Sequence, residues 1–172
     1  MLARLVLAFA LTAGFAGGAA ARDEHHRRLA AELLVMAGDA RRLAADEATP
    51  TQRDGLRARL AGALSSLPLL LRRAGGDPAV VPTLRAVAAR GDWRALRAAL
   101  DELQRAHPHD LDAIASATAT PDRLRLGRAI HAEACAGCHD APAVDTRLPA
   151  HELRAQVGAM PRAEFAARLY LG

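Results

Sequence analysis

The chain has 172 residues, 51% of them hydrophobic but only 3% aromatic, so it suits one domain or two small ones with a core of Leu, Ala and Val. All 23 basic residues are arginine, set against 19 acids for a net charge of +4. They are spread along the chain, without the basic cluster and interleaved aromatics of nucleic-acid binders, which argues against that class of partner. A chain rich in Ala, Leu and Arg and poor in β-branched residues favours helices. No strand alternation, repeat or low-complexity tract interrupts that reading, and the expected fold class is all-α.

In chain order, Met1-Leu-Ala-Arg4 supplies a short positive start, Leu5 to Phe15 an apolar run, and Gly17-Gly18-Ala19-Ala20-Ala21 a small-residue cleavage site before Arg22-Asp23-Glu24. This order is that of a secretory signal peptide over residues 1–21. The run is shorter than the ~20 residues of a spanning helix, and no later segment is long and apolar enough. The expectation is a periplasmic protein with no stable membrane span after cleavage. Leu29, Leu33, Met36, Ala40 and Leu43 then recur at helical spacing and stop near Thr49-Pro50. Leu56, Leu60, Leu64, Leu67 and Leu71 predict a second helix, ended by Gly75-Gly76. Asp77-Pro78 reads as a cap with proline at the first helical position. Val81, Leu84 and Val87 line a third helix that Gly91 closes. Asp92 caps a fourth with Trp93, Leu96, Leu100 and Leu103 on its buried stripe. Short connections predict a small antiparallel bundle over residues 22–115. Residues 116–120 read as a linker, and Thr120-Pro121-Asp122 opens a helix that runs into the sequence Cys135-Ala136-Gly137-Cys138-His139. Two short helices are expected afterwards, from about Pro149 to Val157 and from Pro161 to Leu171.

Cys-x-x-Cys-His is the signature of covalent haem c attachment. Two thiols add to two vinyl groups on one porphyrin edge, and two intervening residues set that reach. His139 then lies beneath the ring as the proximal iron ligand. Small residues at 136 and 137 let the macrocycle approach the backbone. A thioredoxin-type pair would sit beside a βαβ pattern, which is missing. A zinc site needs further ligands, and these are the only two cysteines. A plain disulfide remains open in an oxidising compartment. Export favours haem, because attachment takes place outside the cytoplasm.

Gly127-Arg-Ala-Ile-His-Ala-Glu-Ala-Cys135-Ala-Gly-Cys138-His139 resembles the first helix and haem loop of class I cytochromes c. The resemblance covers about residues 121–172, roughly a third of the chain, and not the preceding bundle. It implies a compact haem domain in which Gly127 marks a close helix crossing, Ile130 is buried, and redox partner proteins in the periplasm exchange single electrons with one haem c. Gly158-Ala159-Met160-Pro161 resembles the family's distal ligand loop, with Met160 as a possible iron ligand. Met160 follows His139 by only 21 positions, shorter than the family pattern. The chain also stops at Gly172 where the family continues, so it is either truncated or closed by the helix of Phe165, Leu169 and Tyr170.

His131 and His151 are the rival distal ligands, His131 four residues before Cys135 and His151 near a helix start. Met36 and Trp93 read as core residues. His25-His26 and His107-Pro108-His109-Asp110 read as solvated loop histidines rather than a metal site. Arginines at 123–128 and 162–168 either rim a haem edge or line solvated helix faces. The leading expectation is an electron carrier rather than an enzyme. The alternative is a five-coordinate, cytochrome c′-like haem protein that binds a gas, although 33 residues follow His139 and that family ends sooner. A peroxidase ranks third, because that class typically needs distal acid–base groups and often a second haem, and only one motif is present.

Overall fold

A computed structural model describes the backbone of residues 3–46, 48–109, 118–141 and 146–172, and side chains from residue 24 onward within those ranges. The expected signal peptide over residues 1–21 falls outside the described side chains, and residues 110–117, which include the first two residues of the expected linker, fall outside altogether. Every regular element among the described residues is helical, as the composition predicts. Helix α1 runs over Ala3–Ala45, α2 over Pro50–Arg73, α3 over Val81–Ala89 and α4 over Trp93–Ala106, with a 3₁₀ turn at Pro78–Val80. Helix α5 covers Pro121–Ile130, a π-helical turn His131–Cys135, α6 Ala136–His139, α7 Leu153–Ala159 and α8 Arg162–Leu171. The helix expected from about Pro149 starts only at Leu153, because Glu152 caps it: its carboxylate accepts from Arg154 N (3.0 Å) and Ala155 N (2.6 Å).

The helix ends follow local chemistry. Thr49 and Gln52 form a reciprocal capping box at α2, with side chains bonding each other's backbone N–H at 3.3 and 3.1 Å. Gly75 and Gly91 take left-handed φ of 71° and 70° past the ends of α2 and α3, where a Cβ would be strained. Asp92 accepts from Ala95 N to start α4. Pro68 sits inside α2 and has no N–H to donate to the Leu64 carbonyl. Arg85 of α3 fills that vacancy with Nε and Nη2 bonds of 3.3 and 3.0 Å to the Leu64 carbonyl.

The predicted stripes converge. Leu29, Leu33, Met36, Leu60, Leu67, Leu71, Leu84, Leu96 and Leu100 are buried in one apolar core shared by α1 to α4, and Trp93 packs against its edge. Each leucine removed from water there contributes about 2 kcal/mol. Helix α8 also lies on α1: Ala167 packs with Ala31 and Val35, flanked by Leu34, Tyr170 and Leu171. The last helix of the sequence is thus fastened to the first.

Candidate functional site

The cysteine motif sits at the end of a helical rod that begins at Thr120, whose hydroxyl accepts from Arg123 N at 3.3 Å. The rod runs through α5 into a π turn that ends on Cys135, the first residue of the motif, a distortion common at functional sites. Cys135 is half-buried, Cys138 is exposed, and both thiols are free. No contact is found around a Cβ built on Gly137, so space is open beside the motif backbone.

His139 is tied down by one bond. Its Nδ1 lies 2.6 Å from the backbone oxygen of His151. A carbonyl only accepts, so Nδ1 carries the proton and Nε2 is left as the ligating nitrogen. The loop that brings His151 there rests on α2, where the Arg147 carbonyl packs on the backbone of Gly55. The His151 ring has its pKa lowered by burial first, then by the charges of Arg42, Arg168, Arg59 and His139. His131, before the motif, places Nε2 3.4 Å from the Asp140 carboxylate just after it. Met160 ends α7 in extended backbone, with its side chain buried.

Three expectations attached to the class I resemblance meet a different arrangement. Gly127 has no neighbour within 4 Å of a built Cβ, and α8, the helix expected to close the haem domain, packs on α1 instead. Ile130 is 53% exposed and Leu124 and Leu126 are 51% and 60% exposed. What holds α8 on α1 is its buried acid, Glu164, which pairs with arginines of α1 and with Arg168 of its own helix.

The residues nonetheless suit a haem c. Both thiols are free, Cys135 at the end of the π turn and Cys138 in α6, the histidine tautomer leaves Nε2 without a proton, the backbone at Gly137 is open, and Leu124, Leu126, Ile130, Leu148 and Val157 leave apolar surface on the segments flanking the motif. Among the described residues no group of three or more His, Cys, Asp or Glu can hold a bare metal ion, and no helix is long and apolar enough to cross a membrane. Sequence reasoning missed the carbonyl partner of His139 and the π turn. The first was beyond reach because a backbone oxygen leaves no mark on residue identity. No protein-family model matches the chain, and neither a curated protein nor a solved structure does.

Proposed function

We propose that this chain is an exported, periplasmic c-type cytochrome: a helical bundle followed by a class I-like unit that carries one covalent haem c and passes single electrons to redox partner proteins. The observation that carries the reading is the pairing of free Cys135 and Cys138 with a His139 whose Nδ1 is bonded to the His151 carbonyl. When bound, the haem supplies an iron that cycles between ferric and ferrous states. The Cys135 and Cys138 thiols would hold it covalently. His139 would offer Nε2 to the iron, and the carbonyl of His151 keeps that imidazole in one tautomer and raises its basicity. Met160 is the candidate second ligand; its thioether would favour ferrous iron and raise the potential.

The test is an absorption spectrum of the full chain matured in a haem-c-competent periplasm, ferric and ferrous, with and without carbon monoxide. A haem that survives denaturing electrophoresis, a low-spin spectrum with the weak far-red methionine–iron band, and no response to carbon monoxide are expected. A high-spin spectrum shifted by carbon monoxide removes Met160 from the iron and supports the gas-binding alternative. A chain without covalent haem overturns the proposal.

A further inference from the structure

We propose that the groove between α2 and the corner where α3 meets α4 binds a small monocarboxylate with an apolar body. The body would lie on alanines and Trp93, and the carboxylate among three arginines. No residue after Trp93 lines this groove, so the site is separate from the cysteine motif and its occupancy does not depend on the haem reading.

Small side chains leave the groove open. Ala61 of α2 lines it together with Ala88 and Ala89 at the end of α3, and a methyl group on each wall cannot fill the space between two helices. Gly91 turns the chain with a φ of 70°, which only glycine adopts without strain. The turn brings in Trp93, whose ring comes within 4.0 Å of a Cβ built on Gly91 and is only partly buried against the core. The enclosed space is about 550 Å³, within the range of sites that hold small molecules. From Arg57 to Leu64 helix α2 rises about 10 Å, which suits one short extended chain and is too small for a protein face.

Charge selects the sign of the ligand. Arg57, Arg85 and Arg90 all line the groove. Arg57 is paired with Asp54 at 3.4 Å. Arg85 donates Nε and Nη2 to the Leu64 carbonyl at 3.3 and 3.0 Å, and Nη2 to the Ser65 carbonyl at 3.4 Å. Carbonyl oxygens fix the guanidinium in place without neutralising it, and Nη1 is left to donate elsewhere. Arg90 makes no ion pair among the described residues. Asp92, close by in the chain, spends its carboxylate on Ala95 N at 3.0 Å. Two of the three cations therefore lack a carboxylate, and one of them is held in position before any ligand arrives, which lowers the ordering cost of binding. A carboxylate satisfies guanidinium donors in pairs, while the alanine walls and the indole face suit a hydrocarbon chain. A phosphate alone would leave those apolar walls uncovered.

The experiment titrates octanoate into the full chain matured with haem and reduced. It follows the indole N–H resonance of Trp93, the one tryptophan, by NMR, together with the haem absorption. A saturable shift of that resonance is expected, below the concentration at which octanoate self-associates and with the haem absorption unchanged. Octanol, the same chain without the charge, should bind roughly tenfold more weakly. Arg90→Gln should weaken octanoate binding roughly three- to tenfold, and Arg90→Lys by less. Ala61→Leu, at an exposed position of α2, should fill the groove and abolish the shift while circular dichroism stays that of the wild type. Arg90 is exposed at the end of α3, so its variants keep the test decisive even where Ala61→Leu fails to fold. A shift that never saturates, octanol binding as tightly as octanoate, or Arg90→Gln binding like the wild type overturns the proposal. So does an unmoved Trp93 resonance accompanied by altered haem absorption, which would put the acid at the iron. A chain that attaches no haem would instead remove the cytochrome reading, and the same titration would still decide the groove.

Discussion

Replacing Gly38 with alanine sets two effects of opposite sign against each other at the α1–α8 contact. Alanine inside a helix is favoured over glycine by ~1 kcal/mol. A Cβ at Gly38, however, would fall on the Glu164 carboxyl group. Glu164 is 2% exposed and bonded to Arg41 and Arg168, so it has nowhere to move without breaking charge-assisted bonds. Breaking a buried ion pair costs ~3–5 kcal/mol. Here Arg41 and Arg168 remain 33% and 18% exposed, and solvent screening brings the cost to ~2–3 kcal/mol. The net expectation is a loss of about 1–2 kcal/mol. Gly62 of α2 is the internal comparison, because nothing lies within 4 Å of its built Cβ, and Gly62→Ala should stabilise by up to ~1 kcal/mol. Urea denaturation followed by far-UV circular dichroism measures both. In a Glu164→Ala background Gly38→Ala should turn stabilising, giving a coupling of ~2–3 kcal/mol in the double-mutant cycle. A Gly38→Ala variant as stable as Gly62→Ala, or a cycle without coupling, would refute the docking of α8 through Glu164.

Arg85→Ala should cost ~1–2 kcal/mol by leaving the Leu64 carbonyl unpaired, and much less in a Pro68→Ala background, where residue 68 regains an N–H for that carbonyl; equal costs in the two backgrounds by urea denaturation would contradict this account. Gly55→Ala puts a methyl group onto the Arg147 backbone carbonyl, which cannot swing aside as a side chain does, so a loss of ~1–3 kcal/mol is expected, together with faster amide exchange around residues 146–151; wild-type exchange there would show that the loop does not rest on α2. His107 has its pKa lowered by burial, then by the charge of His26. The unfolded chain therefore binds more protons than the folded one between the depressed value and about 6.5, so stability is intact above that range and falls as pH drops through it. His107→Gln should lose less stability than the wild type between pH ~7 and ~5, and identical losses would remove His107 from the pH dependence.

The four-helix core was legible because its signals are local and agree. Stripes at steps of three and four, a threonine–proline or aspartate–proline start and a glycine stop define α2, the 3₁₀ turn and α3, and the buried leucines are those of the stripes except Leu70, while Leu103 of the predicted stripe is only partly buried. The Cys-x-x-Cys-His motif was equally visible as a pattern of residues. Its support was not. The bond that fixes the His139 tautomer comes from a main-chain oxygen twelve residues away, and any residue at 151 would offer the same atom. The π turn at His131–Cys135 likewise carries no residue pattern that the sequence reading could use.

The placement of α8 was hidden for a different reason. Periodicity identifies an apolar face but not its partner, and the face of α8 that meets α1 is small: Ala167 against Ala31 and Val35. What selects the partner is a glycine and charges, residues that a sequence pattern assigns to helix weakness and to solvent. Gly38 is weak helix-forming in isolation, yet it is the absence of its side chain that lets a carboxylate lie against α1. Asp39 and Glu164 look like surface acids until α1, α2 and α8 come together, when each becomes buried between arginines of two helices. A buried acid of this kind adds little net stability, because desolvation offsets attraction, but it penalises every arrangement in which the arginines are elsewhere. Its effect is therefore on specificity. Docking α8 on α1 fixes the chain from Pro161 onward, so the backbone just after Met160 is anchored to the four-helix core while the loop through Arg147 is held by α2. Both ends of the segment that carries His151 and Met160 thus depend on helices that the motif alone would assign to a separate module.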